Sequence, residues 1–196
     1  MKKKNRILIY PLIVMGMLFM LTNSCKKDEK KDVPTPTPVL TVGQSYQGGY
    51  IAYFLKQGDP GYDANVQHGL IAAPYDQSTA PWGCSGSSIP GTSTAIGTGQ
   101  ANTALIVNTC SETGIAARLC DDLVVGGHSD WYLPSKDELN KLYLNQAAIG
   151  GFEITAYYWS SSEYISTQAW RQNFGSGVPG PDYKGSPNYV RAVRAF

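Results

Sequence analysis

The chain has 196 residues, 42% hydrophobic and 16% charged, which suits one globular domain with appendages better than two domains. Its formal net charge is +1, but from Leu40 onward eight Lys and Arg stand against twelve Asp and Glu, a balance of −4. A mildly acidic domain is poorly suited to neutralising phosphates, which excludes general nucleic-acid binding.

Residues 1–24 begin with Lys2, Lys3, Lys4 and Arg6, continue in an apolar run over residues 7–21 interrupted by Pro11, and end in small or polar residues. That order is the order of a secretory signal. The apolar run is shorter than the ~20 residues of a spanning helix. Cys25 stands at the cleavage point and Ser24 before it, which resembles a bacterial lipoprotein signal although Thr22 and Asn23 depart from the usual Leu-Ala-Gly-Cys pattern. The expectation is a lipid on Cys25, anchoring the mature chain in the outer membrane and displaying it at the cell surface. Residues 25–39 follow as a charged run and then Pro34, Pro36 and Pro38 alternating with threonine, a tether in extended polyproline geometry.

The domain over residues 40–196 shows no repeat. "SYQGGYIAYFLKQGDPG" predicts strand, Gly48-Gly49 turn, strand and a further turn at Asp59-Pro60-Gly61, and "HGLIAAP" predicts a short buried strand. "APWGCSGSSIPGTSTAIGTGQ" is too rich in Gly, Ser and Thr for regular structure and long for a loop, so it is functional or pinned by contacts. Asn102 or Thr103 is expected to cap a helix through "TALIVNTC". Ser111 is expected to cap a second over "ETGIAARLCDDLVV", with Ile115, Leu119 and Leu123 on one face and Gly126-Gly127 at its end.

"GGHSDWYLPSKDELNKLY" places His128, Ser129 and Asp130 side by side, but three consecutive residues cannot converge as a proton relay. Ser135 and Glu138 instead have the S-x-x-E spacing of a capping box, with Leu139, Leu142 and Tyr143 as the apolar face of a helix. Upstream, Trp131 and Leu133 point into the core and Tyr132 points away from them. Strands are predicted in "AYYWSSSEY", "QAWRQNFGSG" and "NYVRAVRAF". In the last, Arg191 and Arg194 fall on opposite faces, so one arginine is expected to be buried against a carboxylate, with Glu138, Glu163 and Asp130 as candidates.

The motifs "QGGYIAYF", "HGLIAAP", "GHSDWYLPSKDELNKLY", "YYWSSSEY", "AWRQNF" and "YVRAVRAF", in this order, resemble the Lcl C-terminal domain family over about residues 42–196. The resemblance implies an α+β, C-type-lectin-like domain: twisted antiparallel strands with two to three helices and long loops, similar also to formylglycine-generating proteins. The family takes its name from a collagen-like bacterial adhesin whose terminal domain is implicated in binding host glycans, so the resemblance implies binding or adhesion. Fold-level analogy is a weak warrant for function.

The chain has no Glu-Pro-Asn, Gln-Pro-Asp or Trp-Asn-Asp triplet for calcium-dependent sugar binding, and the spacing of Asp59, Asp63 and Asn65 fits turn chemistry rather than an EF-hand. No cysteine follows Cys120, which argues against formylglycine-type oxidation. No C-x-x-C or H-x-x-x-H pair suggests zinc, and "GTGQAN" lacks a phosphate-loop ending. Nothing marks Cys84 as a nucleophile, and Cys84 is expected to bridge to Cys110 and pin the irregular loop, leaving Cys120 buried and free. The reading is a non-enzymatic domain without cofactor or metal. Its partners are the membrane, through Cys25, and an extracellular glycan or protein met by Trp82, Tyr75, Tyr183, Arg171 and Lys184. Tyr164 lies near them, and Arg191 and Arg194 complete a basic C-terminal segment. The alternative is a structural or assembly component of the cell envelope.

Overall fold

Consecutive apolar residues in a strand point to opposite faces, so a run such as Leu70-Ile71-Ala72 requires cover on both sides. The computed structural model describes residues 39–196, and Cys25 and the expected signal lie outside the described residues. The described chain runs β1 (Ser45–Tyr46), β2 (Gly49–Phe54), β3 (Gly69–Ala72), β4 (Thr79–Ala80), α1 (Gly99–Thr109), α2 (Ala116–Asp121), α3 (Lys136–Leu144) and α4 (Gln146–Ile149). It then continues through β5 (Tyr157–Ile165), β6 (Gln168–Asn173), β7 (Pro179–Tyr183), β8 (Asn188–Tyr189) and β9 (Val193–Ala195). One antiparallel sheet has the order β1-β2-β3-β9. The other, β4-β8-β5-β6-β7, is antiparallel except for the β5–β8 pair. The architecture is a mixed α+β domain.

Strand alternation divides the interior into two apolar clusters. Ile71, Trp159 and Ala192 face one with Trp82, Ile106 and Cys120, while their neighbours Ala72, Tyr158 and Val193 face the other with Leu139, Leu142 and Phe174. Trp131 and Leu133 join the first cluster and Tyr132 the second, so the segment expected to have one core face is buried on both.

Two helices differ from expectation. α1 starts four or five residues earlier, after Thr98, because the polar side chains expected to cap it hold other backbone. The Asn102 amide nitrogen donates to the Ser93 carbonyl (2.7 Å) and its oxygen accepts from the Ser93 N–H (2.9 Å), while Thr103 Oγ1 donates to Gly99 (2.9 Å). α2 begins after Ile115 rather than Ser111, with the Ala116 N–H donating to the Pro81 carbonyl at 2.9 Å. It ends at Asp121. Val125 and His128 then exchange both backbone bonds around Gly126 and Gly127, whose φ of 62° and 80° make them the centre of a tight hairpin turn instead of a helix cap.

The capping box forms as read: Ser135 Oγ accepts from the Glu138 N–H and Glu138 Oε2 accepts from the Ser135 N–H. Both arginines of the last segment are buried, not one. Arg191 Nε meets Asp76 Oδ1 at 2.6 Å, and Arg194 holds Asp130 through Nε and Nη2 at 2.7 and 2.8 Å. The two-sided cover of the sheet explains this, since neither face of the segment meets open solvent.

Candidate functional site

On the face of β6 that carries Gln168, Trp170 and Gln172, helix α3 covers one end. The Gln172 amide donates to Asn140 Oδ1 at 2.8 Å and is sealed, but α3 begins at Lys136 and leaves the other end of the strand open. Trp170 lies there half-buried, and Tyr164 meets it edge-on with ring centres 5.1 Å apart. The Lys136 ammonium lies 5.6 Å from the same indole and is paired with Asp137 at 2.7 Å. The register Gln168↔Tyr183 brings Tyr183 to this face from β7. Tyr164 is 50% exposed and Tyr183 is 67% exposed. The result is an aromatic strip with polar margins, and aromatic rings in such a setting stack on apolar faces of sugars or partners.

At this end of the strands the opposite face is closed. Glu163 and Lys184, the neighbours of Tyr164 and Tyr183, point inward and form an ion pair at 2.6 Å. Glu163 also accepts from the Ile89 N–H (2.9 Å) and Ser88 Oγ (3.1 Å), and Lys184 Nζ donates to the Ser87 carbonyl (2.8 Å). The irregular loop is therefore strapped to the sheet, and the Cys84–Cys110 disulfide ties it to the end of α1. Cys120 is buried and free, and burial pushes its thiol well above the usual range.

Two residues expected at a binding face are thus corrected. Trp82 has no exposed surface: its Nε1 donates to the Ser160 carbonyl (2.8 Å), and Lys184 covers its ring. Lys184 is equally buried and neutralised by Glu163, so it cannot meet an anionic ligand. Of the others, Tyr183 joins the strip. Arg171 stands on the opposite face, its guanidinium 3.5 Å from the Tyr157 ring centre and 3.4 Å from Asp182, and Tyr75 is exposed on a separate surface beside Leu119 and Leu123. Arg191 and Arg194 are held in their ion pairs. Trp170 is the residue the sequence did not single out. It shares a strand face with the buried Gln172 and Phe174, and only the starting point of α3 leaves it uncovered.

The polar clusters resolve into architecture. The three buried serines of "WSSSE" are junctions: Ser160 Oγ donates to the Trp170 carbonyl (2.8 Å), Ser161 Oγ accepts from Asn102 (3.1 Å), and Ser162 Oγ donates to the Ser93 carbonyl (2.8 Å). Glu138 is fully buried and accepts N–H groups from Gly97 (2.8 Å), Gly99 and Ser135 (2.8 Å), which gathers the starts of α1 and α3 on one carboxylate. Burial pushes its carboxyl above the ordinary range against the pull of those donors. A Cβ at Gly99 would lie 2.2 Å from Glu138 Oε2, so only glycine permits the contact. Asp59 accepts from the Tyr53 hydroxyl (2.6 Å) and Asp63 from the Asn65 N–H (2.8 Å), which is turn chemistry. Among the described residues, one group has its sulfur and carboxylate atoms close enough for a metal, Cys84, Cys110 and Glu112, and its sulfurs are bonded to each other.

No curated protein matches the chain. The crystal structure of a fimbrial protein from Bacteroides ovatus is similar at a TM-score of 0.48 and 15% identity, covering 65% of this chain and 35% of that one. This chain thus spans about a third of that protein's length. The family model described as the Lcl C-terminal domain matches residues 84–194, from the disulfide of the irregular loop to the buried Arg194, and the chain belongs to the Lcl C-terminal domain family.

Proposed function

We propose that the chain is a lipid-anchored lipoprotein of the outer membrane, displayed at the cell surface, whose lectin-like domain binds a glycan without catalysis or metal. The binding face is the strip of Tyr164, Trp170 and Tyr183 with Lys136 and Asp137 at its margin. One observation carries this reading. Of the four tryptophans, Trp82, Trp131 and Trp159 are buried to 2% exposure or less, each with its indole N–H on a backbone carbonyl, while Trp170 alone keeps part of its surface exposed, beside two exposed tyrosines. Membership of the Lcl C-terminal domain family is compatible with the same use. Glu138, whose carboxyl burial pushes up, has no solvent access for a substrate.

The competing reading, an assembly component of the envelope, meets an obstacle at the free edge of β7. Val178 and Lys184 bond toward β6, so positions 179, 181 and 183 face outward. Pro179 and Pro181 have no N–H, and the Tyr183 N–H donates to Asp182 Oδ1 at 2.9 Å. No donor is left for an added strand.

Titration of the full chain with a polysaccharide panel, with and without chelator, tests the proposal. Tyr164→Ala and Tyr183→Ala, both at exposed positions, are each expected to weaken binding roughly two- to tenfold, the equivalent of ~0.5–1.5 kcal/mol per ring contact. Binding unchanged by both substitutions overturns the site. Loss of binding in chelator overturns the metal-free mechanism.

A further inference from the structure

Eight basic side chains belong to the described domain, and six are engaged. Lys136, Arg171, Lys184, Arg191 and Arg194 are ion-paired, and Arg118 donates to the carbonyls of Val107, Cys110 and Glu112 around the end of α1. The two that remain are Lys56 and Lys141. They lie far apart in sequence, yet both stand against the Tyr53 ring, at 5.9 and 4.8 Å from its centre, which places their ammonium groups no more than 10.7 Å apart. Both line one cavity of about 260 Å³, whose other walls are Val42, Tyr53, Phe54, Leu144 and Asn145.

We propose that this cavity binds a small organic acid, with the carboxylate between Lys56 and Lys141 and an apolar body against Val42, Phe54 and Leu144. The nearby negative charge is Asp59. Its Oδ2 is fixed by the Tyr53 hydroxyl (2.6 Å) and the Lys56 N–H (2.8 Å), and neither ammonium lies within salt-bridge distance of it. Two cations against one anion leave a local excess of one positive charge in a domain whose balance is −4. Long flexible lysine stems can close on one anionic group, and the apolar walls select a ligand with a hydrocarbon or aromatic body over a bare ion. The volume lies below the ~300–1,000 Å³ of drug-sized sites, so the ligand is of the size of a benzoate. This site is independent of the Trp170 strip.

Saturation-transfer NMR on the full chain, with benzoate as the probe, tests the proposal. Saturable binding is expected, weakened at least tenfold in Lys56→Met/Lys141→Met. Both side chains reach solvent, and an unchanged melting temperature shows that the variant folds. Benzyl alcohol, which keeps the ring and lacks the charge, is expected to bind at least tenfold more weakly than benzoate. Binding of benzoate that survives the double substitution, or equal binding of benzyl alcohol, overturns the anionic half of the site. Inorganic phosphate binding as tightly as benzoate overturns the apolar half, and absence of benzoate binding overturns the whole.

Discussion

The Lys184 ammonium lies 4.5 Å from the centre of the Trp82 ring, and neither side chain has any exposed surface. A desolvated cation over an indole is worth ~2 kcal/mol, and the ring also fills the core around Ile115 and Trp159. Trp82→Ala is therefore expected to lower stability by about 3–5 kcal/mol in urea denaturation. Trp82→Phe keeps a ring under the ammonium, is expected to cost less, and is expected to leave glycan affinity unchanged. A Trp82→Phe chain that folds normally but has lost binding would return this residue to the ligand site.

The strap over the irregular loop makes a second expectation. Lys184→Met leaves Glu163 buried without its cation, at a cost of about 3–5 kcal/mol. Lys184→Met/Glu163→Gln removes the stranded charge and is expected to be more stable than the single variant. The disulfide closes a loop of 26 residues in sequence separation, and Cys84→Ser/Cys110→Ser is expected to cost about 3.5 kcal/mol on the chain-entropy relation. Thermal denaturation of the three variants orders them, and a double variant less stable than Lys184→Met contradicts the charge argument.

Local chemistry was legible in the chain and distant chemistry was not. Ser135 and Glu138 announce their capping box because both partners sit within one helical turn. The alternation of Trp131, Tyr132 and Leu133 likewise assigns them to opposite sides. The carboxylate for Arg191 is Asp76, 115 positions away, and no periodicity points across that gap. Trp82 sits among Pro, Gly and Ser and reads as exposed, yet its partners are Ser160 and Lys184 from the other end of the domain. Nothing in the sequence announces β7, since Pro179 and Pro181 argue against a strand and are tolerated only because β7 is an edge. Trp170 follows the core pattern of Gln172 and Phe174, and its exposure depends on where α3 begins, a packing outcome.

Ser135 does more than cap. Its hydroxyl accepts from the Glu138 N–H and donates to the Ala95 carbonyl at 2.8 Å, tying α3 to the loop before α1. Ser135→Ala is expected to cost about 1–2 kcal/mol, the upper half of the range for a lost cap. Ser135→Thr keeps the hydroxyl and is expected to recover part of it, and urea denaturation of the two variants measures the difference.

Two carboxylates are expected to give opposite pH signatures. Burial raises the Glu138 carboxyl above its ordinary value of 4.5, so its contribution to stability is fully present below that value and is lost as pH rises through the raised folded value. Glu138→Gln does not titrate, and its amide nitrogen faces N–H donors, so it is expected to be destabilised by about 1–3 kcal/mol at pH 7, a deficit that widens as pH falls to 4. Asp130 behaves in reverse. Its bonds to Arg194 hold its carboxyl below the ordinary 3.8, so its contribution is present above that value and is lost as pH falls through the lower folded one. Asp130→Asn is expected to cost only about 1 kcal/mol at pH 7, because the carboxylate is half exposed and screened. That deficit shrinks as pH falls below about 4. Parallel urea titrations of the parent and both variants between pH 7 and 3 check the pair, and deficits that move in the same direction contradict at least one assignment.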